Sequence, residues 1–366
     1  MRNNFSLLIT ISLIALNSFA AQNEWNLKQK GLVWGSLYGD AFGGPYEFQN
    51  IKNHYLIKRD KPLNKAQWRE LADSVKLVDY KIKKSPYGPW TDMAPKGSIT
   101  DDSRHKIIFW KSLNNKAPNS KSIAKSYMTH FKINSQYKDW LSQYYRAACF
   151  EFDNDHKDAL PLQRLWAGMP TQAGQMIYPL NALFYVGNPK KAYLETYKLN
   201  KFDNGEAQDF TSAVVAGLAF ALSEKSDWSK TSKVIESTDP LGYSKIPFVH
   251  RKLSLSIKLA DKLVKLANNN PKKLFSMLEE NLDAKTWWEA DVAFTVSYAF
   301  LQMTKDEPLA ALALAREFGH DVDSYAQLIG AYLGAIHTQR IFNSKEISII
   351  KDNIQKNYGD VFLEFE

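Results

Sequence analysis

Glycine occupies every fourth position in one stretch near the start of the chain, at Gly31, Gly35, Gly39 and Gly43. On an α-helix this spacing places all four residues on one face, which then carries no side chains. Another helix or a ligand can approach such a face closely, and this contact compensates for the low helix propensity of glycine. Asp40 and the lack of a long apolar run argue against a lipid-facing helix. The stretch therefore predicts a helix packed tightly inside a soluble core.

The rest of the chain carries mainly helical periodicity. Apolar residues recur at three- and four-residue spacing, and alternating strand patterns are scarce. Turn signals such as Asn188-Pro189 and Asn270-Pro271 separate the helical segments at intervals that suit antiparallel packing. Neither a flexible linker nor a fixed-period repeat divides the chain, which predicts one all-α domain over residues 21–366. The predicted helical segments are residues 120–132, 178–186, 207–223, 250–267, 286–303, 308–318 and 325–336.

The first twenty residues have the pattern of a secretory signal peptide. Arg2 precedes a mostly apolar run over residues 5–16, and the small residues Ser18 and Ala20 follow it. A buried N-terminal helix is the weaker alternative, because such a helix would carry a polar face. We therefore expect cleavage after Ala20 and a secreted or periplasmic mature chain. This run is too short to span a bilayer comfortably, and no apolar run elsewhere is long enough for a transmembrane helix.

Charge and cysteine content exclude some functions. Lys and Arg outnumber Asp and Glu by 47 to 39, but short groups such as Lys272-Lys273 do not form a continuous basic stripe. A solvated surface is therefore expected, with no nucleic-acid partner. The single cysteine, Cys149, lies among apolar residues, which predicts a small core residue and not a nucleophile.

Two acidic clusters, more than two hundred residues apart, each stand where an apolar helix begins: Thr100-Asp101-Asp102-Ser103 and Asp321-Val322-Asp323-Ser324. Their carboxylates and hydroxyls are hard oxygen ligands, which suit Mg²⁺ or Mn²⁺. Asp, Ser and Thr are also the preferred N-cap residues, so a pair of helix caps is the alternative interpretation. A cap needs one acceptor, whereas each cluster offers two carboxylates that repel each other unless a cation lies among them. The carboxylates beyond the one acceptor that a cap needs therefore favour a metal site formed by both clusters together.

Three motifs in this order resemble the ADP-ribosylglycohydrolase family. Residues 31–48 match its opening pattern G-x-x-x-G-x-A-x-G-D-A-x-G-x-P-x-E-F, except that Leu37 replaces the first small residue. Residues 97–103 match G-x-x-T-D-D-T, and residues 319–324 loosely match G-G-D-T-D-T. Residues 330–335 then fit the pattern G-A-x-x-G-A of the last family helix. The resemblance covers nearly the whole mature chain and implies a compact, mostly orthogonal bundle of α-helices.

The resemblance also implies a binuclear Mg²⁺ centre, with Mn²⁺ as an alternative ion. Its ligands would be Thr100, Asp101, Asp102, Asp321, Asp323 and Ser324. Glu47 and Asp101 would be catalytic, with Glu47 as a general acid/base or as the group that orients the water. Set apart from the resemblance, Glu47 could equally be a surface carboxylate. Asp40 is expected to hold the turn over residues 39–43.

Four substrate-binding candidates follow from the same resemblance: Gly43, Tyr87, Trp90 and His320. Tyr87 and Trp90 lie in a polar stretch, residues 51–98, that we expect to cross the surface of the core as a lid or binding loop. Their rings could stack on adenine, or they could only pack against the core and hold the loop in place. His320 replaces a family glycine and could contact a phosphate, although a histidine beside acidic residues is more often a charge partner.

Other departures from the family pattern concern the substrate. Met176 stands where relatives usually carry Arg, and residues 202–209 replace a common Thr-His pair. The expected function is hydrolysis of a ribosyl N- or O-glycosidic bond, by default removal of ADP-ribose from an ADP-ribosylated protein, with a small ribosyl compound as the variant. The alternative is an inactive member that binds ADP-ribose or a protein partner.

Overall fold

A computed structural model describes residues 26–48, 60–81, 93–113, 118–130, 138–283 and 285–365, and nearly all regular structure in these ranges is helical. This confirms the predicted all-α bundle. The only strand pair in the described ranges is antiparallel, β1 (Tyr80–Lys81) with β2 (Met93–Ala94). The α-helices are α1 (Leu27–Gly43), α2 (Lys65–Asp73), α3 (Asp101–Lys111), α4 (Ser120–His130), α5 (Lys138–Phe152), α6 (Ala173–Ile177), α7 (Pro189–Leu199), α8 (Ala207–Ala221), α9 (Trp228–Ser237), α10 (Lys252–Ala267), α11 (Pro271–Leu282), α12 (Ala290–Met303), α13 (Ala310–Phe318), α14 (Val322–His337) and α15 (Ser344–Tyr358).

Short 3₁₀ helices join or extend these elements. They are Gly44–Tyr46, Leu162–Gly168, Pro179–Tyr185, Tyr243–Lys245, Gln339–Ile341 and Leu363–Phe365. The helical segment predicted over residues 178–186 is thus present as a 3₁₀ helix, Pro179–Tyr185.

The centre of the bundle is an antiparallel pair, α1 against α14. Gly31 faces Gly334, Gly35 faces Gly330, and Gly43 faces the backbone of Asp323. A methyl group added to any of the α1 glycines at 31, 35, 39 or 43 would overlap backbone atoms of α14 or the residues next to it. This close approach confirms the predicted tight packing of the glycine stripe, the face of α1 formed by residues 31, 35, 39 and 43. It also brings the end of α1 beside the beginning of α14.

Helices α8, α12 and α13 pack around α14, and α3 contacts α1. The chain reverses between α13 and α14 at Gly319 and His320, whose φ angles are +79° and +61°. The Phe48 amide donates a hydrogen bond to the His320 carbonyl at 2.6 Å. The residues after α1 are therefore fastened to the turn that leads into α14.

Part of the polar stretch over residues 51–98 belongs to the core. Helix α2 packs against α13, and its Trp68 and Leu71 side chains are buried. Asn64 and Gln67 form a capping box at its start. The expectation of an excursion was therefore wrong for residues 65–73, because a short amphipathic helix can be hidden in a polar stretch. None of the predicted helical segments covers the helices α5, α6, α7, α9, α11 and α15.

Some predictions receive no test from the fold. The signal peptide over residues 1–20 lies outside the described residues, and the single domain over residues 21–366 stays a prediction. No helix in the described ranges combines the length and apolar character needed to cross a membrane. Cys149 is buried, as expected for a core residue.

Candidate metal and active site

Three segments bring their acidic residues together at one end of the α1–α14 pair. Glu47 follows the 3₁₀ turn after α1, Asp101 opens α3, and Asp321 and Asp323 stand at the beginning of α14. Carboxylate oxygens of Asp101, Asp102 and Asp323 lie within 4.8 Å of one another. Oxygens of Glu47, Asp321 and Asp323 form a second group of the same size. Asp323 belongs to both groups, so the arrangement offers two adjacent cation positions.

Asp40 fixes α3 against α1. Its fully buried carboxylate accepts a hydrogen bond from the Thr100 hydroxyl at 2.5 Å and from the Thr100 amide at 3.1 Å. The Ser103 amide donates to the same carboxylate at 3.2 Å. The expectation that Asp40 holds the turn over residues 39–43 was therefore wrong. Those residues continue α1, and Asp40 instead anchors the segment that carries Asp101 and Asp102.

Helix capping does not account for the acidic side chains. Thr100 is the N-cap of α3, and its hydroxyl accepts from the Asp102 amide at 3.3 Å. Asp321 is the N-cap of α14, but its side chain makes no capping hydrogen bond. Within the described structure, the buried Oδ1 of Asp102 has no hydrogen-bond partner. A buried acceptor without a donor is costly, and a cation would satisfy it. The donor set and this unpaired oxygen both fit a hard divalent ion.

Gln172, which precedes α6, connects two of the ligand candidates. Its Nε2 donates to Asp321 Oδ2 at 2.5 Å and to Ser324 Oγ at 2.7 Å. Ser324 Oγ in turn donates to Asp102 Oδ2 at 3.1 Å, across the two acidic clusters. Sequence reasoning missed Gln172, because a single amide carries no pattern. The only hint was its place three residues before Gln175, where the stretch with Pro179-Leu180 begins.

Burial and mutual repulsion raise the pKa values of the clustered carboxyl groups. Burial raises the pKa of Asp101 to about 6, against an opposing effect of Arg104. Burial also raises the pKa of Asp321 to about 6. The same cause, followed by neighbouring carboxylates, raises the pKa values of Glu47, Asp102 and Asp323 well above their usual range. A bound cation would reverse these shifts, because it favours the ionised forms.

A cleft is lined by these carboxylates and by aromatic rings. The aromatic residues are Phe48, Tyr144, Trp166 and Trp288. The Phe48 and Trp288 rings meet edge to face with centroids 6.3 Å apart, and both are exposed at their outer surfaces. Within the described residues, the lining contains neither lysine nor arginine. Sequence reasoning identified none of these four rings, which come from separate segments.

Residue 176 also lines the cleft. The sulfur of Met176 lies 3.9 Å from the Tyr144 hydroxyl. The position where relatives usually carry Arg is therefore part of the wall, and its side chain is apolar in this chain.

The predicted site residues separate into three groups. Glu47 and the metal-ligand candidates Thr100, Asp101, Asp102, Asp321, Asp323 and Ser324 meet at one place. Gly43 and His320 do not line the cleft: Gly43 packs on Asp323, while His320 stacks on Trp287 with centroids 3.6 Å apart and lies 3.4 Å from Glu279. Tyr87 and Trp90 lie outside the described residues. The substrate roles of these last four stay predictions.

One comparison with known proteins matches most of the chain. A family model described as ADP-ribosylglycohydrolase covers residues 22–341, which include all three motifs and every carboxylate described above. The match ends before α15. No curated protein sequence matches the chain.

Proposed function

Because this chain belongs to the ADP-ribosylglycohydrolase family, a family of glycosidases, we propose that it hydrolyses a ribosyl glycosidic bond with the help of two bound Mg²⁺ ions. The glycosidase class confirms the expectation from sequence, which left the substrate open. The identities of the metal ion and of the substrate are what we propose beyond the glycosidase class.

The observation that carries the proposal is the pair of carboxylate groups that share Asp323, together with the unpartnered Oδ1 of buried Asp102. Buried carboxylates at such separations repel one another, and divalent cations remove this repulsion. The donors of these two groups, as far as the described residues supply them, are all oxygens, which favours Mg²⁺, with Mn²⁺ as the alternative, over metals that prefer nitrogen or sulfur. The residues that would hold the ions are Thr100, Asp101, Asp102, Asp321, Asp323 and Ser324.

When bound, the ions would act as Lewis acids toward the ribose hydroxyls and a water molecule. Glu47 stands at the wall of the cleft, and burial raises its pKa well above the usual range. In the metal-free protein this shift favours the protonated carboxyl group, whereas bound cations would favour the carboxylate. Glu47 can therefore donate a proton to the leaving group or accept one from the attacking water. Asp101 lines the same cleft and would help to stabilise positive charge at the anomeric carbon.

The default substrate is an ADP-ribosylated protein, as for the family. A small ribosyl compound with a planar, uncharged aglycone is the second candidate. The aromatic lining and Met176 in place of the usual Arg favour it, since no described lining residue could neutralise a diphosphate. The predicted export of the chain also favours a substrate outside the cytoplasm. The alternative to both is an inactive member that binds ADP-ribose or a protein partner.

Calorimetric titration with Mg²⁺, followed by hydrolysis assays, tests this proposal. The substrates would be an ADP-ribosylated protein and a set of ribonucleosides, each with Mg²⁺ and with EDTA. We expect Mg²⁺-dependent hydrolysis of one of these two kinds of substrate. Glu47→Gln should lose hydrolysis and weaken Mg²⁺ binding without abolishing it, since the group of Asp101, Asp102 and Asp323 stays intact, whereas Asp101→Ala/Asp323→Ala should lose both. Wild-type protein that binds ADP-ribose but hydrolyses nothing would support the inactive alternative. Wild-type protein without Mg²⁺ affinity would contradict the metal site.

A further inference from the structure

We propose that the loop of residues 241–249, between α9 and α10, docks the protein on a lipid surface that carries negative charge. Four large apolar side chains of this loop are exposed: Leu241, Ile246, Phe248 and Val249. Phe248 is fully exposed, and the other three are about half exposed. A cluster of exposed apolar side chains on a folded protein marks an interaction site more often than a plain surface.

Hydrogen bonds fix the first half of this loop. The Asp239 carboxylate accepts from the amides of Tyr243 and Ser244, both at 2.8 Å, and from the Ser244 hydroxyl at 2.6 Å. The Tyr243 hydroxyl lies 2.8 Å from that of Tyr197, in α7. The backbone that carries the apolar side chains is therefore tied to the helices beneath it.

A buried ion pair holds the two ends of the connection together. Arg251, paired with Asp209 at 2.6 Å, donates to the carbonyl oxygens of Glu236 at 3.2 Å and Thr238 at 3.0 Å. Between these anchors Phe248 has a φ angle of +64°, which a bulky residue rarely adopts. The fold thus presents the apolar side chains to the solvent in a defined arrangement, and this arrangement needs a partner to be useful.

The charges of the loop favour an anionic lipid surface as that partner. Lys245, His250 and Lys252 are exposed, and Lys252 also lies 3.9 Å from Glu206. The only acidic residue from position 239 to position 252 is Asp239, whose oxygens already accept three hydrogen bonds. Lysines next to exposed apolar side chains match the headgroups and the acyl boundary of an anionic bilayer.

The size of the loop argues against a stable interface with another protein. Such an interface buries about 800 Å² and about 20 to 30 residues on each side, which is more than residues 241–249 supply. Lipid binding needs less, because a few apolar side chains that enter the acyl boundary suffice when basic residues assist them. A membrane surface is therefore the occupant that fits both the charge and the extent of the loop.

Cosedimentation with lipid vesicles tests the proposal. The predicted mature chain is used, since the apolar run over residues 5–16 could itself bind lipid. We expect it to bind vesicles of equal parts phosphatidylcholine and phosphatidylglycerol, and to bind them more weakly at high salt. Ile246→Ser and Phe248→Ser should each weaken this binding by about tenfold. Lys245→Gln should weaken it by about fivefold and leave binding to pure phosphatidylcholine unchanged.

Leu266→Ser is the matched control, because Leu266, near the end of α10, is 48% exposed, as Ile246 is. It should bind vesicles as the wild-type chain does. The melting temperatures of all four variants should equal that of the wild type, since the substituted side chains are exposed. A loss of lipid binding is then not a loss of folding.

Two results would overturn the proposal: a wild-type chain that does not bind the mixed vesicles, or loop variants that bind them as tightly as Leu266→Ser does. Analytical ultracentrifugation covers the other possible occupant. If the wild-type chain is a dimer that Phe248→Ser converts into a monomer, the loop is a contact between two copies and the proposal is wrong. None of these measurements involves metal or hydrolysis, so their outcome is independent of the proposed function.

Discussion

Two regions of this protein hold buried carboxylates under opposite conditions. On α8, Asp209 accepts hydrogen bonds from Arg251 Nε at 2.8 Å, from a second Arg251 nitrogen at 2.6 Å and from the Tyr193 hydroxyl at 2.5 Å. At the acidic site, Asp102 receives one hydrogen bond, from Ser324, and its other oxygen has no partner in the described structure. The protein completes the first arrangement by itself. The second leaves an acceptor that a cation would satisfy under the proposed function, and this is the physical difference between the two regions.

The largest effect is expected from breaking the structural pair. Arg251→Met would leave Asp209 buried without its counter-ion, and the Glu236 and Thr238 carbonyls would lose their guanidinium donors. The free energy of unfolding should fall by about 3 to 5 kcal/mol. Chemical denaturation with and without Mg²⁺ measures it. The loss of unfolding free energy should be the same with and without Mg²⁺. If Mg²⁺ restored the stability of the variant, the two regions would not differ as described.

At the acidic site, in contrast, loss of a carboxylate is expected to stabilise the metal-free protein. Asp323→Asn removes the carboxylate that both groups share, and with it part of their repulsion. The melting temperature in EDTA should therefore rise by about 2 to 4 °C, which corresponds to roughly 1 kcal/mol. Stabilisation by Mg²⁺ should disappear. Destabilisation in EDTA comparable to that of Arg251→Met would mean that Asp323 is a structural carboxylate.

Stability should also depend on pH in an unusual direction. Burial raises the pKa values of Asp101 and Asp321 from 3.8 to about 6 in the folded protein. Between these values the folded state binds more protons than the unfolded state, so these groups lower stability as the pH rises from 3.8 to about 6. Melting curves in EDTA over this interval measure the decline. Asp101→Asn/Asp321→Asn should lessen the decline, and Glu47, Asp102 and Asp323, whose pKa values are also raised, should account for the rest. Saturating Mg²⁺ should lessen it as well. A decline that the double variant retains must come from other groups.

A smaller effect is expected at Gln172, which supports ligands without being one. Gln172→Ala removes the donors to Asp321 Oδ2 and Ser324 Oγ. Loss of such support typically weakens metal binding by about 10- to 100-fold. Gln208→Ala, which removes a side-chain bond to the Asn200 carbonyl, is a suitable control. Calorimetry should show weaker Mg²⁺ binding for the first variant only.

The smallest effect on stability is expected at the rim of the cleft. Trp288 is 39% exposed, so Trp288→Ala should change the free energy of unfolding by about 1 kcal/mol or less. Binding of a planar ribosyl compound should weaken by about tenfold, because the ring lines the cleft. Phe248→Ala is the control, since Phe248 is fully exposed and does not line the cleft. Unchanged binding would exclude Trp288 from the substrate site.

The sequence alone determined the helical class, the glycine stripe and the identity of the clustered acids. These features depend on local spacing: periodicity predicts a helix, and glycines four residues apart predict close packing. Likewise, hydroxyls and carboxylates at a helix start predict oxygen ligands. The ligand candidates were found because each cluster already exceeds what capping requires.

Tertiary structure alone decided which helix the stripe meets and which residues support the site. Gln172 reaches a residue 149 positions away, and Asp40 bonds a residue 60 positions away. Hydrogen bonds and charge interactions depend on distance in space, and the sequence fixes that distance only through the packing of the whole bundle.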